Sequence, residues 1–144
     1  MSHTTFEHSV QDANIWLKGM METLHFGEKR HAYSALRATL HALRDRLPPD
    51  GAVHFGAQLP MLIRGLYYEG WRIAGKPVEI HTADAFADYV ARELPQQFPM
   101  DPQAVARRTF AFLEGHMDAG EVRKVIGQLP QPIKALWPQF ETAL

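Results

Sequence analysis

The sequence predicts an all-α protein in which two tandem copies of a helical unit, with about four helices each, pack as one compact, bundle-like domain. Three observations lead to this prediction. Apolar residues recur at spacings of three and four along most of the chain, which is the period of a helix with one buried face. No stretch alternates apolar and polar residues for long enough to predict a β-strand. The sequence also resembles itself when it is shifted by seventy positions.

Length and composition place the chain within the range of a single globular domain covering residues 1–144. Of the 144 residues, 46% are hydrophobic and 22% are charged, which is enough apolar material for a core. No apolar run approaches the roughly 20 residues of a membrane-spanning helix, and the amino terminus lacks the apolar segment of a secretory signal. The chain contains no cysteine, which excludes thiol chemistry. We therefore expect a soluble, cytoplasmic protein with no membrane partner.

The self-similarity predicts an internal duplication. Two segments of 33 residues, which start at Ala35 and Val105, align without a gap and share eight identical positions. Chance would give about two identities at this composition. The boundaries of the two copies are approximately residues 4–73 and 78–144.

The clustered motif Gln-Leu-Pro is the strongest part of this signal. It ends at Pro60 in the first copy and at Pro130 in the second, and Leu43 of the first copy matches Leu113 of the second. Because both leucines lie on the apolar face of their predicted helices, we expect both to be buried.

In the first copy, the apolar period predicts four helices. The first runs from Phe6 to Leu24 with its apolar residues on one face. The second ends at Pro48, since proline lacks an amide hydrogen and disfavours helix in the residue before it. A short third helix covers roughly residues 51–58. The fourth starts with Pro60, because proline is tolerated in the first position of a helix, and runs to about Gly70.

The second copy repeats this arrangement after a connection. Residues 71–81 show no helical period and are predicted to join the copies. Four further helices are predicted from residues that cap or open a helix. These are Thr82, Asp101, Asp118 and Pro130.

The fourth helix is apolar over most of its circumference, which is more than one packed face requires. One interpretation is a central helix buried between the two copies. The other is an aromatic patch exposed for a partner, since Tyr and Trp are favoured anchors of interfaces. The candidate interaction surface consists of Ile63, Tyr67, Tyr68 and Trp71. The opposing stripe, expected to face its own copy, consists of Leu59, Leu62 and Leu66.

The second helix carries a candidate basic stripe formed by Arg30, Arg37 and Arg44, which lie seven residues apart. Such a stripe could contact a phosphate backbone or an acidic partner. It could equally be an ordinary solvated helix face. The second copy has Glu114 at the position that matches Arg44, and the net charge of the chain is −1. Nucleic-acid binding is therefore the least favoured function.

Motifs for nucleotide binding, serine hydrolysis and zinc coordination are missing from the sequence. The eight histidines do not complete a ligand set, because a zinc site needs three or four ligands that converge. The sequence thus predicts no catalytic residue, no cofactor and no bound metal.

Several short segments form a recognisable set: Arg37 to Leu43, Leu47-Pro48, residues 57–60 and residues 66–71, with counterparts at Arg107 to Leu113 and residues 127–130. Together they resemble the bacterial domain-of-unknown-function 2267 family. The resemblance covers nearly the whole chain. It implies an all-helical, cytoplasmic protein of bacterial type, and it brings no established activity or catalytic residue.

Three functions are compatible with these observations. The leading hypothesis is a non-enzymatic protein-interaction or regulatory module, possibly homodimeric. The alternative is a small-molecule-binding protein or enzyme with a pocket between the copies, where Glu69, His81 or His116 would act as acid or base. The third is nucleic-acid binding through the basic stripe.

Overall fold

The computed structural model describes the backbone of residues 2–140 and the side chains of residues 5–140. Within that range the chain forms eight α-helices and no β-strand. The helices are α1 (Ser2–Leu24), α2 (Lys29–Arg46), α3 (Pro49–Gly56), α4 (Met61–Tyr68), α5 (Ala83–Glu93), α6 (Pro102–His116), α7 (Ala119–Ile126) and α8 (Gln131–Lys134), followed by a 3₁₀ turn, Pro138–Phe140. The prediction of an all-α protein is confirmed.

The predicted capping residues start their helices by accepting hydrogen bonds from free backbone amides. The side chains of Thr82, Asp101 and Asp118 each accept at least one such bond at 3.0–3.2 Å. Pro60 and Pro130 directly precede α4 and α8 as N-cap residues, one position earlier than predicted. Helix α4 ends at Tyr68, two residues before the predicted end.

Helices α2 and α6 form the centre of the molecule. Helix α2 packs against α1, α3, α4, α5 and α6, while α6 packs against α1, α2, α5 and α7. One hydrophobic core therefore contains residues from both halves of the chain. Leu43 on α2 and Leu113 on α6 are completely buried, as predicted.

Several elements recur seventy residues apart. Helix α3 (Pro49–Gly56) and helix α7 (Ala119–Ile126) have the same length and this spacing, and the first residues of α4 and α8 also have this spacing. A superposition of the two halves is the direct test of the duplication, which stays a prediction.

Helix α1 departs from its prediction at its amino-terminal end. The predicted stripe places Phe6 and Val10 on the buried face, but these side chains are 65% and 49% exposed. Met20 and Leu24, farther along the same helix, are buried. The reason is the orientation of the helix: its buried face passes through Ser9 and Trp16, which are 9% and 7% exposed, so Phe6 and Val10 lie on an adjacent face.

Candidate functional site

The aromatic helix α4 is oriented differently from the sequence prediction. Ile63 and Tyr67 are buried, so these two residues of the candidate interaction surface are not available to a partner. The Tyr67 hydroxyl donates a hydrogen bond of 2.6 Å to the carbonyl of Ala52, and burial raises the pKa of Tyr67 well above its ordinary value. On the opposing stripe, Leu62 is exposed and Leu66 is only half-buried. The predicted inward and outward sides are thus partly exchanged.

The other two residues of the candidate interaction surface are half-buried. The Tyr68 ring contacts the rings of Tyr67 and Trp71, with centroids 4.9 Å and 5.7 Å apart. The indole nitrogen of Trp71 is buried and has no hydrogen-bond partner among the described residues. The Tyr68 hydroxyl also donates a hydrogen bond of 3.3 Å to the carbonyl of Val53 on α3. Helix α4 packs against α1, α2 and α3, and therefore against its own half rather than between the two copies.

The basic stripe is not one exposed surface. Arg30 is exposed and forms an ion pair with Glu28. Arg37 is half-buried, and its guanidinium contacts Glu93 at 2.6 Å and Glu69 at 3.1 Å. Arg44 is buried, with 4% of its surface exposed. The prediction of a continuous stripe is therefore wrong, because the three arginines differ in burial and each of them contacts a carboxylate.

Arg44 forms hydrogen bonds with backbone carbonyls at the carboxyl-terminal end of α4. Its guanidinium donates hydrogen bonds of 2.7 Å and 2.6 Å to the carbonyls of Tyr67 and Glu69, and a third of 3.1 Å to the carboxylate of Asp45. The last carbonyls of a helix lack partners inside the helix and attract a cation. Arg44 satisfies both requirements from the interior of the protein.

Asp45 and Arg46 connect α2 to the segment between the two halves. The Asp45 carboxylate accepts a 2.6 Å hydrogen bond from the hydroxyl of Tyr89 on α5. Its backbone carbonyl accepts a bond from the amide of Val78, and the Arg46 guanidinium donates to the carbonyl of Ile80 at 2.6 Å. Burial and the Asp45 hydrogen bond raise the pKa of Tyr89 to about 12.

His41 completes the polar side of α2. Its ring nitrogens lie 2.8 Å from the carbonyl of Leu66 and 3.0 Å from the carboxylate of Glu93. The ring therefore bridges two helices, since Leu66 lies on α4 and Glu93 on α5. These polar side chains form two groups, one of Arg37, His41, Glu69 and Glu93 and the other of Arg44, Asp45 and Tyr89, and a hydrogen bond from Arg44 to the backbone carbonyl of Glu69 joins them. We call these residues together the polar network. Its charges satisfy one another, which fits a role in holding α2, α4 and α5 together.

The three proposed acid or base residues do not form a common site. Glu69 pairs with Arg37, His81 pairs with Glu79 on an exposed part of the connection, and the His116 ring stacks on Phe112. Among the described residues, no hydrogen bond or ion pair joins any two of the three. His, Asp and Glu side chains in this part of the chain also form no group of three that could hold a metal ion.

Two surface features were missed by the sequence analysis. The first is an exposed apolar face formed by Phe6 and Val10 of α1 with Met61 and Leu62 of α4. The helices meet there, since the Ser9 hydroxyl lies 3.6 Å from the sulfur of Met61. The periodicity of α1 and α4 contains this signal, but it does not reveal which part of each apolar stripe remains uncovered.

The second feature is a cavity of about 440 Å³ between the two halves of the chain. It lies between the start of α2 and the loop that joins α5 to α6, and we call it the inter-half cavity. Its polar lining consists of Arg30, His31, Ser34, Gln96 and Gln97. A pocket between the copies was predicted, but Glu69, His81 and His116 do not line this one.

These features define a small helical protein whose buried charges stabilise the fold and whose surface presents an apolar face and an open cavity. No helix in the described part of the chain combines the length and apolar character needed to cross a membrane. The chain belongs to the DUF2267 family, described as an uncharacterized conserved protein, because the family model matches residues 13–136. The resemblance deduced from the sequence is thereby confirmed. No curated protein matches the chain.

Proposed function

We propose that the protein is an interaction module that associates with a second copy of itself through the apolar face of α1 and α4. The observation that supports this proposal is that Phe6, Val10, Met61 and Leu62 are 46–65% exposed and lie on two helices that contact each other at Ser9 and Met61. Single apolar side chains at a surface need no explanation, whereas a group of them marks a site of association.

A second copy suits this face for two electrostatic reasons. The net charge of −1 produces little repulsion between identical chains. In addition, Glu7 and Lys18 lie eleven residues, or about three helical turns, apart on one edge of α1. Both are exposed and form no ion pair within the described part of the chain. If two α1 helices pack antiparallel about a two-fold axis that crosses α1 midway between these two residues, Glu7 of each copy faces Lys18 of the other.

The dimer is expected to be weak, because the apolar face is small compared with the interfaces of obligate dimers. Such a reversible association fits a regulatory module that exchanges between a monomer and a dimer. In keeping with the family resemblance, we further propose that this exchange takes place in a bacterial cytoplasm.

The test is sedimentation equilibrium of the purified chain at concentrations up to about 1 mM. This range detects dimers with a dissociation constant of about 1 mM or lower, which corresponds to a binding free energy of about 4 kcal/mol or more. We expect Leu62→Gln and Phe6→Gln to lower the dimer fraction without changing the melting temperature. Ile73→Gln is the matched control, since Ile73 is 63% exposed but lies in the connection between the halves. A wild-type chain that stays monomeric throughout this range would refute self-association.

A charge exchange tests the antiparallel arrangement. Glu7→Lys and Lys18→Glu should each weaken the dimer, because each places like charges opposite one another, and the double variant should restore it. If the double variant is as weak as the single ones, the α1 helices do not pair in this way and the antiparallel arrangement is wrong.

A further inference from the structure

The inter-half cavity is bounded by an aromatic cluster that two unusual turns hold in place. The rings of Phe26, His31 and Phe98 contact one another edge to face, with centroids 5.5–5.6 Å apart. His25 and Gln97, which directly precede the two phenylalanines, have φ angles of 61° and 59°. They are the non-glycine residues with positive φ in the described part of the chain. This conformation is unfavourable for residues with a side chain and persists only where the surrounding structure requires it.

The polar groups at this cavity are available to a ligand. No hydrogen bond within the described part of the chain involves the imidazole nitrogens of His31, the hydroxyl of Ser34 or the side-chain amides of Gln96 and Gln97. Ser34 lies one helical turn after Arg30 on α2, so that the guanidinium and the hydroxyl occupy the same wall. A cation, a hydroxyl and two amides together provide the donors that a carboxylate accepts from.

The ion pair between Arg30 and Glu28 does not block this use. Its side chains are 77% and 53% exposed, and an exposed ion pair of this kind contributes little to stability. A ligand carboxylate that also reaches Ser34 can therefore replace Glu28 as the partner of Arg30. The loop from Pro95 to Pro99 forms the other side of the cavity and places the apolar Phe98 ring and two prolines beside Gln96 and Gln97.

We propose that the inter-half cavity binds a small organic anion, with its carboxylate against Arg30 and Ser34 and its apolar part against Phe98. The cavity volume of about 440 Å³ lies within the usual range of small-molecule sites. The ligand would contact both halves of the chain at once, because α2 and the loop after α5 belong to different halves.

Nuclear magnetic resonance of the isotope-labelled full chain tests the proposal with three probes: benzoate, inorganic phosphate and benzamidine. Benzoate combines a carboxylate with an apolar ring, phosphate has only the anionic character, and benzamidine carries a positive charge on the same ring. We expect benzoate to shift the resonances of His31, Ser34, Gln97 and Phe98 in a saturable manner, with a dissociation constant of about 1 mM or lower. Phosphate and benzamidine should shift them less.

The variant Arg30→Gln should weaken benzoate binding about tenfold, which is the loss expected for one charge-assisted hydrogen bond. Because Arg30 is exposed, this change leaves the fold intact. Arg108→Gln is the matched control, since Arg108 is an exposed arginine outside the cavity, and it should bind benzoate as the wild type does. Shifts that grow linearly without saturation, equal shifts with benzamidine, or unchanged affinity in Arg30→Gln would each overturn the proposal.

Discussion

Helices α2 and α6 occupy central positions in their respective halves, but different forces hold them in place. Helix α2 buries Arg44 and Asp45 in the polar network. The positions seventy residues later carry Glu114 and Gly115, which lie at a more exposed helix end. In the second half, α6 is held by aromatic stacking instead of buried charges. Phe110 of α6 and Trp137 stack with centroids 4.0 Å apart and an interplanar angle of 6°.

This difference shows that equivalent helices can be stabilised by buried charges or by aromatic packing, and that the two kinds of interaction differ in their sensitivity to substitution. Aromatic packing tolerates modest changes in shape, because dispersion and burial are spread over many atoms. A buried charge depends on every partner, since removing one leaves another charge uncompensated in a region of low polarity. The half with the polar network should therefore respond more sharply to a single polar substitution than the half with the aromatic stack.

The largest effect is expected for Arg44→Met. This substitution leaves the Asp45 carboxylate buried without its cation and removes the donor to the carbonyls of Tyr67 and Glu69. We expect the free energy of unfolding to fall by about 3–5 kcal/mol, as measured by urea denaturation. Glu114→Met, at the matching position of α6, is the control and should change stability by no more than about 0.5 kcal/mol. Equal losses for the two variants would show that the polar network has no special importance.

A loss of stability that is similar in the two halves is expected for the buried leucines that both halves share. Leu43 and Leu113 are completely buried, so each leucine-to-alanine change removes packed atoms and leaves a cavity. Each should lower the free energy of unfolding by about 2–5 kcal/mol. Because the two sites are alike in burial, the losses should be similar. A loss below about 1 kcal/mol at either site would be incompatible with its burial.

The smallest effect on stability at neutral pH is expected for Tyr89→Phe, because the ionisation of Tyr89 affects the free energy of unfolding only at alkaline pH. The pKa of Tyr89 is about 12 in the folded protein and about 10 in an unfolded chain. The folded state therefore keeps a proton that the unfolded state releases. The resulting stabilisation is fully present below pH 10 and is lost as the pH rises towards 12. Melting temperatures recorded over this range should fall, and the fall should be shallower in Tyr89→Phe. Identical slopes in both proteins would contradict this linkage.

Much of the fold could be predicted from local signals. The caps at Thr82, Asp101 and Asp118 depend on a side chain and an amide only two or three residues away, and proline acts on its immediate neighbours. Leu43 and Leu113 were identified as buried because a central helix keeps the same face inward along its length. Helix α1 is different, since its buried face contains Ser9 and Trp16 rather than the predicted Phe6 and Val10.

The candidate surfaces were harder to predict, because they depend on pairs of residues far apart in the sequence. Nothing near Arg44 indicates that it reaches the end of α4, 23 and 25 residues later. Similarly, the sequence allowed Tyr67 to face either a partner or the core. In the structure it faces the core, where its ring contacts Phe55 and its hydroxyl donates to the carbonyl of Ala52, both on α3. The inter-half cavity brings Arg30 and Gln97 together from different halves.

The amino-acid sequence by itself determined the helical class, the positions at which helices start and stop, and the identity of the central leucines. The physical reason is that capping, proline chemistry and helical periodicity act within one or two turns of the chain. Only the tertiary structure decided which arginine is buried, which side of α4 faces the core and which apolar residues stay exposed. Those outcomes depend on competition among all the helices for a limited buried surface, and that competition is resolved only when they pack together.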